Sequence, residues 1–63
     1  MILAKLIGAS FSDAMLLCDH YNYKLYVIRE DGDYFLVPTS YDGEQDRIGV
    51  VIEHDKIIEA KFI

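Results

Sequence analysis

Apolar residues recur along this chain first with a helical period and then with a period of two, and the change falls at Asn22. Phe11, Ala14, Met15, Cys18 and Tyr21 stand at the i, i+3, i+4, i+7 and i+10 positions of one face, which predicts a helix of about three turns. Ser10 precedes the stripe and Asp13 follows three residues later, a capping-box-like pair. The serine oxygen accepts an otherwise unpaired backbone N–H, and the aspartate favours the positive end of the helix. Asn22, which tolerates a left-handed backbone, predicts the stop.

Beyond Asn22, β-branched and aromatic residues alternate. YKLYVIRE, Tyr23 to Glu30, predicts a strand. Asp31-Gly32 is a type I′ turn dipeptide, and DYFLV, Asp33 to Val37, predicts the returning strand. Pro38 lacks a backbone donor and marks a strand end or an edge. RIGVVIE places Ile48, Val50 and Ile52 on one face, His54-Asp55 makes a tight turn, and KIIEAKFI puts Ile58, Ala60 and Phe62 opposite Glu59 and Lys61. One N-terminal helix and about four strands imply an α+β fold, the helix stripe packed on a small twisted mixed sheet. Ile2, Leu3, Leu6 and Ile7 are expected to cover an edge or extend that core.

Sixty-three residues without repeat, linker or low-complexity tract make a single small α+β domain over 1–63. A chain of this size buries only about 60% of the surface its unfolded form exposes, so small domains often add disulfides, a metal or a second subunit. The single cysteine, Cys18, cannot form an internal disulfide and suits a reducing compartment, hence an expected cytoplasmic location. His20 and His54 lie far apart without companion cysteines, so no zinc spacing is present and no cofactor is expected. The chain is 52% hydrophobic, with five tyrosines and three phenylalanines, more than so small an interior hides, which brings in a homodimer. A net charge of −5 offers no basic stripe for phosphates and argues against nucleic acid as a partner. The opening MILAKLIGA is broken by Lys5 and ends at Gly8, too short for a signal peptide, and no run approaches a membrane span.

Catalytic chemistry finds little footing. A nucleophile needs an adjacent base and an orienting group, and Ser10, Ser12, Ser40 and Cys18 occur with only two histidines, none in a known motif. Cys18 on the apolar helix face reads as a small buried hydrophobe, His20 as a complement to the helix C-terminus, and His54 as a turn residue. Asp31 and Asp33 around Gly32 resemble a fragment of a calcium loop but lack its twelfth-position glutamate, so a hairpin turn accounts for them better.

Four pieces in order carry a resemblance: LIGAS, Leu6 to Ser10; YKLYVIREDGDYFLVPT; Asp46-Arg47; and RIGVVIEHDKIIEA. Together they are similar to the potato inhibitor I family of serine protease inhibitors and to small bacterial and phage-type proteins of the same pattern. The resemblance implies that Val37 to Arg47, the one long polar run, is a protease-binding loop. It implies a binding surface of Pro38, Thr39, Ser40, Tyr41, Asp42 and Gly43. Thr39 would stand before the specificity residue Ser40, with Tyr41 after the scissile bond and Arg47 bracing the loop from the following strand. Preorganisation of that kind lowers the entropy cost of binding, and a guanidinium fork can hold carbonyls in place. The chain departs from the pattern: the second bracing arginine falls at Gly49, the acidic loop residue is Tyr41, the loop is about one residue longer, Asp42-Gly43 adds a flexible point, and Ser40 offers no large anchor.

The expected function is therefore a non-enzymatic protein-binding module with loop 37–47 as its binding loop and a protein partner, a serine protease by resemblance. The alternative is a small intracellular regulatory or anti-defence protein of phage type, acting as a homodimer or as an acidic mimic without protease inhibition.

Overall fold

A computed structural model describes residues 2–37 and 46–63. It is an α+β domain of two helices and a four-stranded mixed sheet: α1 (Ile2–Leu6), α2 (Phe11–His20), β1 (Lys24–Glu30), β2 (Asp33–Tyr34), β3 (Arg47–Glu53) and β4 (Lys56–Phe62). The strand order is β2-β1-β3-β4, with β1 and β3 parallel and the two outer pairings antiparallel.

Helix α2 forms where its local signals place it. Ser10 has an extended backbone (φ −73°, ψ 162°), and its Oγ accepts the Asp13 N–H at 3.2 Å. At the other end Asn22 is left-handed (φ 64°), the Asn22 N–H donates to Asp19 O at 3.2 Å, and the Tyr23 N–H donates to Cys18 O at 2.8 Å. That pair of bonds is a Schellman motif built on asparagine, and it turns the chain directly into β1. The buried face differs in part from the expected stripe. Ala14 and Cys18 are buried, with Phe11 and Leu17 packed beside them, whereas Met15 and Tyr21 are about half exposed.

The N-terminal residues extend the core and reach the sheet edge as expected, but they do so as a second helix that was not foreseen. Five residues are too few to be stable by propensity, so α1 depends on packing. Leu6 is fully buried, Ile2 and Leu3 lie against the core, and Ile7 is exposed. Gly8, with φ 87°, ends the helix in a left-handed turn. From there the Gly8 N–H donates to Ile57 O at 2.7 Å and Ala9 O accepts the Ile57 N–H at 2.9 Å, tying this segment to the outer edge of β4.

Both hairpins turn through two residues with positive φ, Asp31-Gly32 (49°, 90°) and His54-Asp55 (52°, 64°). The Asp31 N–H donates to Ile52 O at 2.9 Å, and Asp31 Oδ1 accepts the His54 N–H at 2.9 Å, so the two turns lie side by side and are stapled together. The returning strand after Asp31-Gly32 is shorter than Asp33 to Val37. Among the described residues only Asp33 and Tyr34 pair as strand there, and the Phe35 N–H donates to Ile28 O at 2.9 Å. Leu36 projects fully into solvent, so its hydrophobicity does not extend the ladder.

The core lies between the helices and one sheet face: Leu6, Ala14, Cys18, Ile48, Val50, Ile52 and Ile57. β3 supplies its centre with the alternation expected. β4 does so with one shift, because a bulge between the Val51↔Glu59 and Ile52↔Ile57 pairs makes Ile57 the core residue and leaves Ile58 42% exposed. An extra residue in a strand flips every side chain beyond it to the other face.

Candidate functional site

Of the residues the sequence assigns to a binding surface, Pro38, Thr39, Ser40, Tyr41, Asp42 and Gly43 lie outside the described residues. Arg47 is described, together with the positions where the chain resumes. The Lys24 N–H donates to Asp46 O at 2.7 Å, so pairing between β1 and β3 begins at Asp46 itself. The Lys24 ammonium stands 3.7 Å from Asp46 Oδ2, an exposed pair of the kind worth under about 1 kcal/mol.

Arg47 opens β3 opposite Lys24. Its Nε donates to Ile63 O at 3.4 Å, and its own carbonyl accepts the Ile63 N–H at 3.0 Å. The root of segment 37–47 is thereby joined on one side to the start of β1 and on the other to the end of β4. Beneath this end of the sheet Tyr23 and Phe62 pack ring to ring at 5.8 Å. They border an open hollow of about 410 Å³ with Ile2, Lys5 and Tyr21.

The face of the sheet turned away from the helices was not foreseen. It carries a shallow hollow of about 180 Å³ lined by Ile28, Arg29, Tyr34, Gly49, Val51, Glu59 and Lys61. Arg29 lies over the Tyr34 ring at 5.6 Å, donates to the Tyr34 hydroxyl at 3.3 Å and pairs with Glu53 at 3.4 Å. Its Nε is shielded from solvent with no partner among the described residues. Gly49 sits in the middle, and the Ile28 side chain lies across it. The strand alternation contains this face in principle; the bulge at Ile28, between the Val27↔Val50 and Arg29↔Val51 pairs, is what brings Arg29 onto it.

Five carboxylates gather at the opposite end of the sheet from Arg47. Glu30, Asp31 and Asp33 surround the first turn, and Glu53 and Asp55 the second. Among the described residues no nucleophile-type side chain converges on a base. Ser10 is used as the cap of α2, and Cys18 is a free, buried thiol whose pKa burial raises. His20 ends α2, edge-on to the Tyr21 ring at 4.8 Å, while His54 stands in the far turn. Among the described residues no group of three or more His, Cys, Asp or Glu side chains is placed to hold a metal ion, and no helix is long and apolar enough to cross a membrane. Comparison of the chain with known protein families, curated proteins and solved structures returns no match.

Proposed function

We propose that this protein is a non-enzymatic protein-binding domain of the potato inhibitor I kind, offering residues 37–47 to a serine protease as a substrate-like segment. The observation that supports the reading best is the position of Arg47. It is the first residue of a strand parallel to β1, half buried, and fastened through its Nε and its carbonyl to Ile63. An arginine held there is rooted at the edge of the segment it is assigned to brace. A segment whose root is fixed loses less conformational entropy on binding.

Gly49, the position the resemblance gives to a second arginine, has its space occupied by Ile28. This chain therefore relies on one bracing arginine, which implies a weaker inhibitor than a doubly braced loop would make. The test is incubation with chymotrypsin-like and subtilisin-like proteases. Inhibition with the Ser40-Tyr41 bond surviving is expected, and Arg47→Ala should turn the protein into a faster-cleaved substrate. Rapid cleavage at Ser40-Tyr41 with no inhibition by the unaltered chain would sink the proposal.

A further inference from the structure

We infer that the outer edge of β4 is a self-pairing surface, on which a second copy of this chain adds its own β4 antiparallel about a two-fold axis at Ala60. β4 is an edge strand of seven residues. Its peptide groups alternate in direction. The Ile63 N–H points inward to Arg47 O, so by period two those of Lys61 and Glu59 point inward and those of Phe62 and Ala60 point outward. The bulge at Ile58 resets the alternation, and Ile57 points outward to Gly8 and Ala9. The Lys56 end of the edge is thus closed by the chain's own N-terminal segment. The outward groups of Ala60 and Phe62 have no backbone partner among the described residues.

The occupant is identified by charge. Pairing Ala60 with Ala60 of the second copy as a hydrogen-bonded pair sets Glu59 of each copy opposite Lys61 of the other, on the open face of the joined sheet. Both side chains are exposed there, and cross-strand pairs of opposite charge stabilise a sheet. The sequence Glu59-Ala60-Lys61 is complementary to itself when reversed. An antiparallel arrangement also directs the two acidic turn ends away from each other, which favours association of chains that each carry −5. A two-fold contact of this kind is isologous and closes as a dimer. It involves neither segment 37–47 nor Arg47 side-chain chemistry, and stands apart from the inhibitor reading.

Sedimentation equilibrium across the micromolar range tests it, with circular dichroism confirming that each variant is folded. The unaltered chain should be dimeric. Glu59→Lys and Lys61→Glu each set like charges opposite one another twice and should raise the dimer Kd about 30-fold. Mixing the two variants in equal amounts restores two opposite-charge pairs and should restore the dimer, as should the double variant Glu59→Lys/Lys61→Glu. A monomer throughout this range overturns the inference. So does a dimer indifferent to both single reversals, or variants whose mixture stays monomeric.

Discussion

Gly49→Ala tests how the open face of the sheet is packed, and its cost can be worked from the geometry. A Cβ on Gly49 would lie 2.5 Å from Ile28 Cδ1, 2.8 Å from Ile28 Cγ1 and 3.1 Å from Ile63 Cγ2. Non-bonded carbons prefer about 3.5–4.0 Å, so Ile28 must move by about 1 Å. Its β-branched χ1 is stiff, and overpacking of this kind typically costs about 1–3 kcal/mol. Replacing a strand glycine returns about 0.5–1 kcal/mol of backbone entropy. The net expectation is a loss of about 1–2 kcal/mol. In an Ile28→Ala background both close atoms are gone and the nearest remaining neighbour is Ile63 Cγ2 at 3.1 Å. There Gly49→Ala should be neutral or slightly stabilising. The coupling between the two sites is then about 2 kcal/mol, well beyond the ~0.5 kcal/mol within which independent sites add. Urea unfolding of the four proteins of this cycle, followed by circular dichroism, measures it. In thermal unfolding the single variant should lose about 4–8 °C per kcal/mol. Additive effects, or a Gly49→Ala variant as stable as the parent, would refute the packing of Ile28 over Gly49.

Ile57→Ala, at a 1% exposed position, should cost about 2–5 kcal/mol and leave so small a domain largely unfolded, whereas Ile58→Ala should cost under about 1 kcal/mol; denaturation midpoints of the two variants report directly on the β4 bulge. His54→Asn/Asp55→Gly relieves two left-handed non-glycine residues while keeping the backbone N–H that Asp31 holds, and should raise stability by about 1 kcal/mol in the same assay. The Cys18 thiol has its pKa raised by burial, so the folded chain keeps a proton that the unfolded chain gives up. Its contribution is fully present below the unfolded thiol's pKa and is lost as pH rises through the folded value. The stability difference between the parent and Cys18→Ala should therefore shrink above pH ~9, as urea midpoints at neutral and alkaline pH would show.

What was legible in the sequence was what local chemistry decides. Ser10, Asp13 and Asn22 define α2 because a cap and a left-handed stop act within a few residues. Asp31-Gly32 and His54-Asp55 define the turns because a two-residue hairpin needs positive φ at both positions. What stayed hidden depends on contacts between distant segments. α1 exists because Leu6 finds the core and Gly8 finds Ile57. Ile57 replaces Ile58 in the core because of a bulge that no residue type announces. Met15 was expected inside because its spacing is right, but Leu17 packs against the core while Met15 is half exposed. At the candidate site, the start of β3 at Arg47 follows from the alternation of RIGVVIE. Its bond to Ile63 requires β4 to be in place, and the filling of Gly49 by Ile28 requires the parallel pairing of β1 with β3.

The claim that segment 37–47 is a protein-binding loop is tested most directly by calorimetric titration with a subtilisin-like protease whose catalytic serine is replaced, so that binding is read without cleavage. Saturable binding at micromolar concentration or tighter is expected, weakened at least about tenfold by Ser40→Ala/Tyr41→Ala. No binding by the unaltered chain, or an affinity unchanged by that double substitution, would contradict it.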